Sequence, residues 1–438
     1  MNILNKTIKY GTLLFVFLIP YQARWILVPG EINKGYWEYG TQSLYLTEIL
    51  LFIVLIALVA KGAIYIRQTR PKFNSNKLYS PLGALILLVA WSGLSILWSI
   101  DKSVALEHWV VLIQAVVVLI VISSGAISFK KLSWAIILSA TVQAILAFIE
   151  FRLQMVPGST FFGMASQNAG ILGTSVIETA NGRWLRAYGS FPHPNILGAW
   201  LVLGIVVLIE KYKIQSTKYK ELLYIPFAII LIGLLVTFSR SAWLATISYL
   251  VIQTSYLFLI GQKKLFLKLF VVGILFATTF IALYPDPFIE RLRSNSRLEV
   301  MSNTERVAGF SQSWEIIKKY PMLGVGIGSY GLAVHQDLDN SQPSYFYQPV
   351  HNVGLLIFSE LGVVGVLLIA LFICLSLRLP AEVEGGSVFT TVAIPSITVL
   401  VPIIVLVTFD HYFWSLYSGM MISAIYIGIL IVLFKKNT

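Results

Sequence analysis

Residues 349–377 read PVHNVGLLIFSELGVVGVLLIALFICLSL. A polar loop ends at Pro349-Val350-His351-Asn352, and an apolar run follows that is long enough to cross a bilayer, for which about 20 helical residues suffice. A titratable imidazole therefore stands where soluble loop meets membrane span. Within the run, Glu360 falls about nine residues in, roughly 13 Å deep at 1.5 Å per residue. A carboxylate there suits either a proton path or a structural pair.

Working outward, the whole chain has the same character. Of 438 residues, 57% are hydrophobic and 12% charged, with a mean hydropathy of +0.80. No soluble domain could cover that much apolar surface. The composition predicts an all-α polytopic membrane protein, one integral membrane domain over residues 1–438. Apolar runs of helical length predict about 12 spans, near 8–28, 42–60, 80–98, 104–124, 132–152, 194–210, 222–238, 241–260, 266–284, 352–377, 389–409 and 413–434. No small-residue cleavage site follows the first run, which reads as a retained span. The single cysteine, Cys374, lies inside an apolar run and excludes an intrachain disulfide.

The net charge of +12 could suggest nucleic acid as partner, but its placement argues for topology instead. Most lysines and arginines, among them Lys6, Lys9, Lys61, Arg67, Arg70, Lys72, Lys77, Lys130, Lys131, Lys218, Lys220, Arg378 and Lys436, fall on alternate connections. That distribution puts both termini in the cytoplasm. The other basic residues lie outside, where topology gives them no reason to be. Many sit in or beside two long outer segments, 153–193 and 285–351, the second between spans 9 and 10.

The first segment reads as irregular loop as far as Arg186. In Phe191-Pro192-His193-Pro194-Asn195, two prolines force an extended approach, and Asn195 can cap the next span. Nothing structural requires a cation at Arg186. In the second segment, Ser302-Asn303-Thr304-Glu305 fits a capping box, and Pro321 stops the helix it begins. Val307, Phe310, Trp314 and Ile317 make an apolar stripe, predicting an amphipathic helix on the bundle or in the headgroup layer. Arg306 borders that stripe near the helix start, where an anion would relieve an unfavourable dipole interaction; pairing with Glu305 or another carboxylate is the alternative. Gly324-Val325-Gly326-Ile327-Gly328 lacks a strand–turn–helix setting and reads as a tight, flexible return.

Arg240, in Thr237-Phe238-Ser239-Arg240, stands between two spans with almost no loop. It can snorkel to the boundary or turn inward to a phosphate, which its planar fork suits. The histidines His108, His193, His335, His351 and His411 all map to the outer side. None has HExxH-type spacing, so no metal is expected. Asp410-His411 joins the last two spans and either orients a partner or packs the rim.

The ordered set Thr237-Phe238-Ser239-Arg240, then Arg306 ahead of Trp314 and Pro321-Met322-Leu323-Gly324, then His351-Asn352 with Glu360 and Gly362, resembles the O-antigen ligase and polymerase superfamily. Phe191-Pro192-His193-Pro194-Asn195 also looks like its members. The resemblance implies transfer of a glycan from a polyprenyl-pyrophosphate donor on the outer face of a bacterial plasma membrane, without metal or cofactor. It implies functional roles for Arg240, Arg306 and His351. Arg186, His193 and Asn352 are expected at the substrate. The acceptor is a glycan, a lipid or a protein hydroxyl.

Elementary chemistry agrees. A sugar on pyrophosphate already carries a good leaving group, unlike a glycosidase substrate, which needs paired carboxylates. The reaction needs cations for the diphosphate and a base for the acceptor hydroxyl, for which neutral imidazole is matched to neutral pH. The competing reading is a lipid-linked oligosaccharide transporter or flippase. Transporters place polar groups near the midplane, often in repeated halves. Here polar residues gather at one face, and no internal repeat is evident.

Overall fold

The computed structural model describes residues 1–69, 80–214, 221–261, 263–376 and 394–437. The basic residues expected at Arg70, Lys72, Lys77, Lys218, Lys220 and Arg378, and the start of the span near 389, lie outside the described residues. The chain is mostly helical, 72% of it. Seven helices are long and apolar enough to cross a membrane: α2 (Leu46–Thr69), α4 (Lys102–Ser123), α5 (Phe129–Leu153), α6 (Pro194–Ile214), α8 (Arg240–Leu259), α13 (Val353–Ser376) and α16 (Tyr417–Asn437). α9 (Lys263–Leu283) adds a further candidate if the sharp bend after it is one broken span. α3 (Pro81–Leu94), α7 (Tyr224–Val236) and α14 (Ile394–Phe409) are shorter apolar helices, and α1 (Asn2–Leu18) fills the place of the first expected span. The protein is a multi-pass, all-α membrane protein.

α6 is the central post, its apolar window wholly enclosed by other helices. Its Gly204 faces Ala140 of α5 so closely that a Cβ there would come within 2.7 Å of the alanine's. Small residues let spans approach in this way where water supplies no driving force.

The polar connections gather on one face. β1 (Arg24–Val28) and β4 (Gln42–Tyr45) form an antiparallel hairpin that encloses a smaller one, β2 (Glu31–Ile32) with β3 (Gly35–Tyr36). Two more hairpins occupy the segment expected to be irregular: β5 (Met155–Val156) with β6 (Gln167–Asn168), and β7 (Val176–Thr179) with β8 (Gly182–Leu185). The first span is correspondingly shorter than the predicted 8–28, because the chain leaves the helix at Leu18 and turns into β1. These hairpins pack on the segment after α9. Trp37 donates its Nε1–H to the Tyr347 carbonyl at 2.8 Å, and Asn33 donates to the carbonyls of Asn340 and Gln342.

That segment holds α10 (Pro285–Arg293), α11 (Arg297–Lys319) and α12 (Tyr330–Asp337). α11 starts at Arg297 with Ser296 as its cap residue, well before the expected capping box. Ser302–Glu305 therefore lies within the helix, and Arg306 sits mid-helix, so the dipole argument for it fails. The apolar stripe also divides. Ile317 is buried with Ser313 and Ile316, but Val307 (68% exposed), Phe310 and Trp314 face outward.

α13 bends at Gly362, whose φ is 65°. The glycine-rich return plugs this break. Val325 and Gly326 donate to the freed carbonyls of Ser359 and Glu360 at 2.9 and 2.8 Å, as broken spans require. Gly324, at φ 69°, runs so near Glu360 that a Cβ would meet its backbone at 2.4 Å. The return is pinned rather than flexible. Glu360 accepts from Trp414 Nε1 at 2.8 Å and from the N–H groups of Gly328 and Tyr330. It is a structural carboxylate and anchors this loop.

Candidate active site

Asn352 explains why His351 stands where it does. Its Oδ1 accepts the Leu355 N–H at 2.9 Å, capping α13, and its Nδ2 donates to the Thr408 carbonyl at 3.0 Å. Both ends of this amide serve the protein, so the substrate role expected of Asn352 gives way to positioning. The cap fixes the residue before it, and His351 Nδ1 meets Asp410 Oδ1 at 3.2 Å. A carboxylate on Nδ1 takes that nitrogen's proton as a hydrogen-bond donor and leaves Nε2 with its lone pair. His351 Nε2 has no partner among the described residues.

Asp410 is buried, 3% exposed, and does more than pack the rim. Burial alone would raise its carboxyl, but the hydrogen bond from His351 and the charge of Arg306 hold it well below the usual carboxylate range. Its Oδ2 accepts from Asn195 Nδ2 at 2.7 Å. Asn195 Oδ1 in turn accepts from Arg186 at 2.6 Å, and Arg186 Nε donates to the Thr237 carbonyl at 2.9 Å. A continuous chain thus runs Thr237–Arg186–Asn195–Asp410–His351. Asn195 is a bridge rather than the expected helix cap; the ring of His193, through Nδ1, accepts the Asn195 N–H at 3.1 Å instead.

Two expected substrate residues are consequently committed within the protein. Arg186 is 7% exposed, and burial together with the nearby charge of Arg291 pushes its guanidinium down. His193 has its second nitrogen on the Ser175 hydroxyl at 3.2 Å. Burial, then the charge of Arg186, lowers its pKa to about 3, so it is neutral. His411 is likewise neutral: burial takes it to about 3. Its Nδ1 meets Ser415 Oγ at 2.7 Å and its ring packs edge-on to His351, centroids 4.8 Å apart. Of these three histidines, His351 alone has a free acceptor nitrogen among the described residues.

The arginines converge from a second direction. The turn between α7 and α8 puts Phe238 in the left-handed region at φ 49°, an uncommon conformation for a bulky residue. This strained turn aims two successive carbonyls at two arginines, Thr237 O at Arg186 and Phe238 O at Arg291 Nε, the latter at 2.7 Å. Arg240 follows at the start of α8. It pairs with Glu299 Oε2 at 3.1 Å and reaches Asn303 Oδ1 at 3.3 Å and the Ser294 hydroxyl. Glu299 also pairs with Arg291, so one buried carboxylate holds two guanidinium groups.

Glu299, Asn303 and Arg306 recur every three or four residues and share one face of α11. Farther along that helix, Gly309 abuts Val350, next to His351, and Ser313 Oγ meets Ser359 Oγ of α13 at 2.9 Å. Arg306 is thereby brought toward the base, and its charge acts on His193, Asp410 and His411. Unlike Arg186, Arg240 and Arg291, it has no hydrogen-bond or ion-pair partner among the described residues, and its Nε is buried. A partly buried cation without a counter-charge is costly unless an anion binds it.

Two residues of this arrangement were not foreseen, Glu299 and Arg291. Nor was the proximity of His351, Asp410 and His411, whose possible ligand atoms all lie within 4.8 Å of one another. Asp410 already accepts from His351 and Asn195, and both His411 nitrogens lie near hydroxyls, those of Ser415 and Tyr39. With Arg186 and Arg306 beside it, the group is better satisfied by protons than by a divalent cation.

Arg240 and Arg291 thus share Glu299, while Arg306, on the same helix, acts by its charge on the group that orients the His351 imidazole. Residues 225–370 match the family model described as O-antigen ligase, a match that includes Arg240, Arg291, Glu299, Arg306 and His351. Over that stretch, about a third of its length, the chain is similar to the O-antigen ligase and polymerase superfamily, and the match supports a membrane glycosyltransferase-like role in cell-surface glycan biosynthesis. No curated protein matches the sequence.

Proposed function

We propose that the protein transfers a glycan from polyprenyl pyrophosphate to an acceptor hydroxyl at the outer face of a bacterial plasma membrane, both termini being cytoplasmic. The observation that carries this reading is the pairing of His351 Nδ1 with Asp410, which leaves Nε2 as the acceptor, beside the unpartnered Arg306. The acceptor O–H gives its proton to His351 Nε2 while its oxygen bonds to the anomeric carbon. The bond from that carbon to the diphosphate breaks with its electron pair, and the charge that accumulates on phosphate faces Arg306 and Arg240. Displacement from the far side inverts the anomeric centre, and no metal is required.

The polyprenyl tail has a natural place. A cavity of about 420 Å³ lies among α6, α7, α8 and α9, with an almost wholly apolar wall. Its lining reaches Trp243, Phe288 and Leu292, neighbours in sequence of Arg240 and Arg291. A lipid lying there would present its head group to those arginines.

The test is transfer by the purified protein in vesicles, with lipid-linked oligosaccharide as donor and glycan, lipid or peptide acceptors in turn. His351→Ala should abolish transfer, a loss of about 10²-fold or more, while the donor still binds. Arg306→Lys, which keeps the charge but not the fork, should raise the donor KM. Wild-type turnover in His351→Ala would end the base assignment. A chelator should leave the rate unchanged; loss of activity restored by a divalent ion would reassign His351, Asp410 and His411 as ligands.

A further inference from the structure

A second cavity, of about 440 Å³, opens on the loop-bearing face, and His351 and Asp410 form part of its wall. None of Arg240, Arg291 and Arg306 lines it. If the diphosphate lies on those arginines, the acceptor oxygen must approach the anomeric carbon from the opposite side, and this cavity is the space that His351 faces there.

Its walls suit a sugar. Tyr39, Tyr45, Tyr188, Phe191 and Tyr412 supply aromatic surface, on which the C–H faces of a pyranose can stack while polar groups meet its hydroxyls. The rings are held in place. Tyr412 donates to the Asn195 carbonyl at 3.1 Å, the Tyr188 hydroxyl accepts the Ser175 N–H at 2.7 Å, and Tyr45 stacks on Tyr417. Gln348, three residues before His351, lines the cavity and has no side-chain hydrogen-bond partner among the described residues. Its amide is therefore available to a ligand hydroxyl.

Charge narrows the ligand further. The one cationic side chain of fixed charge in the wall, Arg24, is neutralised by Glu38 at 2.7 Å and also reaches the Tyr45 hydroxyl. His193 and His411 are neutral, and Asp410 is anionic. An acidic sugar would find no free cation and one carboxylate.

We propose that this cavity is the subsite for the acceptor's terminal sugar, and that the sugar it takes is uncharged. The inference rests on the glycosyl-transfer reading and adds which face of the base receives the acceptor. It also explains where specificity resides. Of the lining residues only Gln348 and His351 fall within the matched region 225–370; the rest are Gln22 and residues of the β1–β4 hairpin, the segment 156–196 and the chain after α14. Donor chemistry then belongs to the shared region and acceptor choice to segments outside it.

The experiment is equilibrium binding rather than turnover. His351→Ala protein in lipid nanodiscs is titrated with neutral methyl di- and trisaccharides and with uronate-bearing counterparts of the same size, read by saturation-transfer NMR. At least one neutral sugar should bind saturably and its uronate counterpart weakly. Adding Tyr39→Ala or Gln348→Ala should raise that Kd about tenfold, a loss of about 1.4 kcal/mol. Polyprenyl pyrophosphate without a glycan should not displace the sugar. The inference is overturned if no neutral sugar binds, if uronates bind as well, if neither substitution changes Kd in protein of normal melting temperature, or if polyprenyl pyrophosphate competes. Because binding is measured without turnover, absence of transfer in the wild type would sink the activity and leave this result standing.

Discussion

With its Nδ1 proton donated to Asp410, His351 is confined to the one tautomer whose Nε2 can accept a proton. Asp410→Asn replaces a pure acceptor with an amide that can donate to Nδ1 and so put the imidazole proton on Nε2. Transfer should fall by about 10²-fold or more with donor affinity intact; equal activity in the variant would mean that Asp410 only packs. A pH dependence follows from His411, which is 5% exposed and whose folded pKa is about 3. The unfolded chain takes up a proton near the ordinary value of about 6.5, where the folded protein refuses it. This contribution to stability is complete above about 6.5 and shrinks as pH falls toward about 3, by at most about 1.4 kcal/mol per unit. The corresponding window for Asp410, whose carboxyl is lowered, begins only below about 3.9, the ordinary value for an aspartate. Between pH 7 and pH 5 the melting temperature of the detergent-solubilised wild type should therefore fall relative to that of His411→Gln. A slope identical in the variant would assign the pH dependence to other groups.

α11 carries the electrostatic frame of the site. Glu299 on this helix offsets Arg240 and Arg291 together, and both Glu299 and Arg291 are nearly out of water. Removing one partner of a buried ion pair typically costs about 3–5 kcal/mol, so Glu299→Gln should lower the melting temperature markedly. Polyprenyl pyrophosphate, itself an anion, should restore more of that loss than it adds to the wild type. An equal increment in both proteins would place the diphosphate away from these arginines. Asn352 offers a second test at this scale. As the cap of α13 it should tolerate Asp, and Asn352→Ala should cost about 1 kcal/mol; a donor KM defect shared by both variants would return Asn352 to the substrate. The sequence revealed α11 through its apolar spacing but misjudged its start. Glu299 and Arg291 lie in a polar stretch with no periodicity, where paired charges look the same as solvated ones. Arg186, conspicuous as a cation without a topological reason, proved to be internal wiring to Asp410.

For the molecule as a whole, hydropathy identified the long helices because lipid tolerates no unpaired backbone. The same reasoning concealed the β1–β4 hairpin. Trp25, Ile26, Leu27 and Val28 are apolar and exposed, indistinguishable by composition from the end of a span. Arg240, Arg306 and His351 were readable because each stands at the end of a run or on a helix face. Their partners were not: Asp410 is 59 residues from His351, and Asn195 is 215 from Asp410. One further consequence concerns the outward side chains of α11, Val307 and Trp314, 68% and 51% exposed. They face away from the helix bundle, as a buoy resting on lipid would, whereas His351 is fixed to the end of a span. The height of Arg306 above the imidazole then depends on how thick the surrounding bilayer is. Turnover should peak at one acyl-chain length in reconstituted vesicles, and Trp314→Ser should broaden that optimum. An enzyme indifferent to lipid length would instead be holding this helix through its contacts to α13 alone.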